Sequence, residues 1–137
     1  MTIKEQHVNE SQIDEVARLI ENTKSMINLD RDDVKSVLVG KEGILYQANQ
    51  EEGVENSTFM KEFFGALKEK TAVQDCTSLL ISIAMSPEDP LMMDDIEIIH
   101  DFLESINNES LEVKWGIKNN EEGERMSILT ICTKAAT

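Results

Sequence analysis

A chain of 137 residues, 40% hydrophobic and 29% charged, has the size and balance of one globular domain with room for a hydrophobic core. Its 27 acidic residues against 13 basic ones leave a formal charge of −14, which argues against nucleic acid and anionic membrane surfaces as partners, since both are held by clustered Lys and Arg. No apolar run reaches the roughly 18 residues that a membrane-spanning helix needs.

Residues 1–10 are polar, lack an apolar signal core, and read as a flexible lead-in to a single domain over 11–137. Ser11, followed by Asp14, has the pattern of a helix start. Ile13, Val16, Ala17, Leu19 and Ile20 recur at helical spacing and predict a helix over 12–22. A second helix is expected from Asp30 or Arg31 to Val39, with Val34, Val37 and Leu38 on its apolar side and Gly40 at the position that ends it. Ile44, Tyr46 and Ala48 share one face of a strand. Phe59, Met60, Phe63, Phe64 and Leu67 then form an aromatic stripe on a helix over 58–70, read as core packed on a sheet rather than a ligand box.

Leu79–Met85 is a nearly continuous apolar run, suited to a central strand covered on both faces. Pro87 and Pro90 force an extended turn. Asp94 and Glu97 open a helix over 95–106, on which His100 lies at the edge of the buried side. Leu111, Val113, Trp115 and Ile117 alternate with Glu112, Lys114 and Lys118, and a Gly-containing turn over 119–123 leads to Met126–Thr133. These two runs are expected to pair as an antiparallel hairpin.

Chemistry-bearing constellations are sparse. His7, His100, Cys76 and Cys132 have no metal-ligand spacing and no recognisable nucleophile setting, so no catalytic residue, metal or cofactor is predicted. The spacing of the cysteines leaves a disulfide open, but reduced thiols fit the cytoplasmic setting expected here. The most informative stretch is Asn28-Leu29-Asp30-Arg31-Asp32-Asp33-Val34-Lys35. Three carboxylates crowd a helix start, where unpaired backbone N–H groups and the positive end of the macrodipole favour negative charge. One reading of Asp30, Asp32 and Asp33 is therefore a helix cap.

A second reading comes from resemblance. The stretch resembles a loop of the bacterial cell-division protein FtsZ, in the tubulin/FtsZ family, where an Asn-Val-Asp-Phe-Ala-Asp-Val-Lys-type segment joins the core helix to the C-terminal domain. Asn28, Asp30 and Asp33 match that pattern; Arg31 and Asp32 replace its Phe-Ala, and Thr23-Lys24-Ser25 stands where a Pro-Gly is usual. Leu79–Met85 resembles the family's Val-Leu-Val-Asn-Ile strand, and Asp94–Ile106 its following acidic helix. Trp115-Gly116 with Ile128–Thr133 resembles its Ile-Phe-Gly and Val-Thr-Val-Ile-Ala-Thr segments. The order of elements over residues 13 to 134 agrees as well.

The resemblance implies an α+β fold: a two-layer sandwich with a mixed four-stranded sheet and helices packed on it. It also implies a partner. In the family the two aspartates of this loop reach the nucleotide of the neighbouring subunit and promote GTP hydrolysis. The family's glycine-rich phosphate loop has no counterpart, since the six glycines are scattered. There is no room for its GTP-binding domain before Ser11, so the chain is expected neither to bind GTP nor to hydrolyse it alone. The reading is then an interaction or regulatory domain that caps FtsZ, or another tubulin-like GTPase, through Asn28, Asp30, Arg31, Asp32 and Asp33, with in-trans stimulation of the partner as an extension. The alternative is a stand-alone structural or small-ligand domain that kept only the fold. Arg31 and Asp32 support the alternative, because a third carboxylate beside a nucleotide phosphate is unfavourable unless Mg²⁺ or a lysine offsets it. Self-assembly through a sheet edge or the apolar helix faces is a third possibility.

Overall fold

The structure, a computed structural model, describes residues 1–20, 25–120 and 125–136, with side chains left out over 25–27. In chain order the elements are β1 (Lys4–Asn9), a 3₁₀ turn (Glu10–Gln12), α1 (Ile13–Ile20), β2 (Ser25–Ile27), α2 (Arg31–Leu38) and β3 (Lys41–Asn49). They continue with α3 (Asn56–Lys68), α4 (Thr71–Gln74), β4 (Ser78–Met85), α5 (Met93–Ser105), β5 (Glu112–Asn119) and β6 (Ser127–Ala135). The strands form one six-stranded sheet in the order β1-β3-β6-β4-β5-β2. β4 and β5 run parallel, connected through α5, and every other neighbouring pair is antiparallel.

The position of β4 follows from its composition. All eight of its residues are buried, so both faces and both edges need partners. Its alternate side chains feed two cores. Leu79, Ile81, Ile83 and Met85 join Phe59, Phe63, Phe64 and Phe102 of α3 and α5 on one face, the α3/α5 face. Leu80 joins Val16 and Ile20 of α1 and Val34, Val37 and Leu38 of α2 on the other, the α1/α2 face. The aromatic stripe of α3 is fully engaged: Phe64 stacks on Phe102 of α5 with ring centroids 4.8 Å apart and meets Phe63 edge-on at 5.2 Å. Burying each such side chain contributes about 1.5–3 kcal/mol. Gly40 follows the last turn of α2 at φ +68°, the left-handed conformation that lets the chain turn straight into β3.

The expected α+β class is the one observed, and six details differ. The sheet has six strands where four were expected. Residues 4–9, expected as part of the lead-in, form the edge strand β1, in unbroken register with β3 from Lys4↔Gln47 to Asn9↔Glu42. β1 escapes a pattern search because only Val8 of its six residues is buried.

Helices also cover both faces of the sheet, giving three layers where two were expected; the apolar sides of α1 and α2 are what cover the second face. β5 and β6 do not form a hairpin. β4 lies between them, pairing with both, because a direct β5–β6 pairing would leave one edge of the fully buried β4 bare. The turn expected over 119–123 falls partly on residues 121–123, outside the described residues, as do residues 21 and 22 of the first expected helix.

The remaining differences are caps. Asn9 rather than Ser11 opens the first helical segment, accepting from Ser11 N at 2.9 Å while Gln12 accepts from Asn9 N at 3.0 Å. Asp95 rather than Asp94 caps the start of α5, accepting from Met92 N at 2.9 Å.

Candidate interaction site at the start of α2

The acidic loop enters α2 on the α1/α2 face. Leu29 fixes it from below: it is 4% exposed and packs among the side chains of α1 and α2. Asp30 is the N-cap, in an extended conformation at φ −125° and ψ −176°. Its Oδ1 accepts from Asp33 N at 3.1 Å, and Asp33 Oδ2 accepts in return from Asp30 N at 2.9 Å. This reciprocal pair closes the helix start, with Asp33 N shared between the Asp30 side chain and the Asp30 carbonyl, the latter also at 3.1 Å. The two carboxylates that match the family pattern therefore also build the helix terminus, and each keeps one oxygen outside the capping pair.

Arg31 turns away from the carboxylates beside it. Its Nε donates to Asp14 Oδ1 of α1 at 2.7 Å, tying the two helices together across the solvent-exposed side. The Arg31 hydrogen bond and charge hold the Asp14 carboxyl below its ordinary range, with weaker help from Arg18 and Lys35. Asp14 was expected as a partner for Ser11; its tertiary role could not be read from a contact 17 residues away in sequence. Asn28 and Asp32 are exposed, and neither is hydrogen-bonded or ion-paired to a described residue. The loop thus presents Asn28 and Asp32 to solvent on a frame held by Leu29, Asp30, Asp33 and the Arg31–Asp14 bond. Thr23 and Lys24 of the segment that replaces the family's Pro-Gly lie outside the described residues. Among the described residues no three His, Cys, Asp or Glu side chains converge to hold a metal ion.

The sequence reading missed a concavity. On the α3/α5 face, at the opposite side of the sheet from the acidic loop, a cleft of about 480 Å³ opens between α4 and the strands β1, β3 and β6. His7, Glu42 and Lys134 stand on the strands, Thr71 and Asp75 at α4, and Cys132 at the floor. Nothing in the sequence marked it, because it depends on β1 joining the sheet. Burial pushes the Cys132 thiol up to about 11 and the Cys76 thiol up to about 12, so both stay protonated and weakly nucleophilic near neutral pH. His100 is exposed on α5 and contacts Glu104 at 3.0 Å, one helical turn away.

This architecture is of the tubulin/FtsZ C-terminal-domain type, an α+β fold with a mixed sheet and packed helices. Among solved structures it is similar to an FtsZ dimer from M. jannaschii described as empty, at 17% sequence identity and a TM-score of 0.58, covering 82% of this chain and 33% of that one. It is also similar to a single-substitution mutant of M. jannaschii FtsZ, at 16% identity and a TM-score of 0.52, covering 82% and 34% of the two chains. The chain thus spans about a third of the length of the FtsZ structures that it matches, and the likeness is one of fold. No protein-family model and no curated protein sequence matches it.

Proposed function

We propose that this chain is an FtsZ-like interaction domain that engages a tubulin-like GTPase in the cytoplasm, FtsZ being the first candidate, and that it caps or regulates that partner's assembly in cell division through the acidic loop. The observation that carries this reading is the pairing of an FtsZ C-terminal-type fold with an exposed loop, Asn28 to Asp33, held in one geometry by its own capping pair. Among the described residues, the Asp32 carboxylate and one oxygen on each of Asp30 and Asp33 have no partner outside the capping pair. Such a surface is complementary to a cationic or Mg²⁺-bearing face, which a nucleotide-loaded GTPase would present. With nucleotide and Mg²⁺ supplied by the partner, Asp30 or Asp33 would orient and polarise the attacking water. GTP is then the partner's ligand and not this chain's.

The test is GTP turnover and sedimentation of FtsZ from the same organism, with and without this chain. Asp30→Asn keeps a capping oxygen and removes the charge. Asp30→Ala removes both and costs about 1 kcal/mol of stability. Asp32→Asn removes the free carboxylate and touches no cap. The expected outcome is a change in polymer or turnover that Asp30→Asn and Asp32→Asn reduce, while their unfolding midpoints stay at the wild-type value. No change with wild-type chain in several-fold excess would overturn the partnership. An effect that survives both Asn variants would remove the loop from it.

The cleft of about 480 Å³ favours a second reading, a small-ligand domain, because its volume is in the range of small-molecule sites. A small molecule bound against His7 and Asp75, with no response of FtsZ to the chain, would decide for it.

A further inference from the structure

The two edges of the sheet are unlike each other. β2 is three residues long and its register against β5 shifts between Ser25 and Ile27. Both features blunt an edge against pairing with another chain. β1 is six residues long, in unbroken register, with no proline. Among the described residues no strand lies on its outer side. An edge of this kind offers a row of backbone N–H and C=O groups to any strand that can lie beside it. Side-chain polarity is the remaining protection, and on β1 the polar side chains are self-complementary, a carboxylate at Glu5 and an imidazole at His7.

We infer that β1 is a homodimerisation edge, on which a second copy of this chain pairs antiparallel about a two-fold axis at Gln6 and extends the two sheets into one. Side chains directly opposite in an antiparallel pair lie on the same face. Glu5 and His7 share the α3/α5 face through their partners Tyr46 and Ile44. Centring on Gln6 sets Glu5 of each copy against His7 of the other, twice by symmetry, and Lys4 against Val8. A slip of two residues in one direction sets Glu5 against Glu5, and in the other sets His7 against His7. One register therefore sets a carboxylate acceptor opposite an imidazole N–H donor while keeping each face continuous. The Glu5 carboxylate is already held by Lys70 Nζ at 2.8 Å, which fixes its position beside the incoming strand. This inference is independent of the acidic loop, which lies on the α1/α2 face.

The test is sedimentation equilibrium of the whole chain over a wide concentration range, with three variants. His7→Glu sets like charges opposite at both symmetric positions. His7→Lys keeps a hydrogen-bond donor opposite Glu5. His100→Glu makes the same change in net charge at an exposed site on α5, remote from β1. The expected result is a reversible wild-type dimer, weakened about tenfold or more by His7→Glu and preserved by His7→Lys and His100→Glu. The unfolding midpoint of the His7→Glu monomer shows that the fold is intact. A wild-type chain that stays monomeric throughout, or a dimer that His7→Glu and His100→Glu weaken equally, overturns the inference.

Discussion

Thr130 sits in the middle of β6, opposite Tyr46 of β3 and Ile81 of β4, and is fully buried. Its hydroxyl is the one fully buried side-chain polar atom among the described residues with no hydrogen-bond partner. A buried hydroxyl without a partner costs about 1–3 kcal/mol, and valine has nearly the same shape without it. Thr130→Val is therefore expected to raise stability by about 1–2 kcal/mol, seen as a higher urea midpoint with an unchanged slope. The sequence hides this defect. Residues 128 to 133 are apolar or small on both strand faces, so Thr130 reads as an ordinary strand residue until its neighbours are known. The cap at Asp30 was legible for the opposite reason. Its partner Asp33 is three residues away, and the chemistry of a helix start is local. Whether the same carboxylates meet a partner is a question about another surface, and no local pattern answers it.

Two glycines around the α2–β3 connection separate what an element requires of itself from what its neighbour requires. Gly40 is at φ +68° and a methyl group there would meet nothing within 4 Å. Gly40→Ala should cost only the backbone strain, about 1–2 kcal/mol. Gly43 has no such backbone requirement, but a methyl group there would run into the carbonyl of Cys132 on β6. Relief needs the β3–β6 ladder itself to move, so Gly43→Ala should be the costlier of the two, about 2–3 kcal/mol or more. Thermal unfolding of both variants checks the order. Gly40 was readable as a helix terminator because it follows the last apolar residue of α2. Gly43 was not, because its constraint comes from a strand about 90 residues later, and the hairpin signal had assigned that strand to β5. The central strand β4 and the stripe on α3 were readable in full, since burial on both faces and a helical repeat are written within each segment.

At the scale of the molecule, burial shifts three groups in one direction. Cys76 is pushed from 9.0 to about 12, Cys132 from 9.0 to about 11 and Tyr46 from 10.0 to about 12. The folded chain holds these protons after the unfolded chain has released them. The stability tied to them is therefore complete below pH 9 and falls as pH rises toward 11 and 12. Urea midpoints should drop across that alkaline window. Cys76→Ala, though less stable at every pH, should show a shallower decline. The three-layer arrangement behind this burial was only partly legible. The helices and their apolar sides were visible, but which face each one covers depends on strand order, and strand order was set by the needs of β4 rather than by any adjacent turn.

The strand that completes the sheet is the last of the six in chain order. β6 alone joins β3 to β4. Until Ser127–Ala135 has been synthesised, β1 and β3 on one side and β4, β5 and β2 on the other share no strand hydrogen bond. A nascent chain would therefore carry two half-sheets with bare apolar edges, and neither core could close. The complete sheet is therefore expected to close only after translation has passed β6, since it needs pairings as far apart in sequence as Lys41 and Ala135. During that interval the formal charge of −14 is expected to be what opposes association with neighbouring chains.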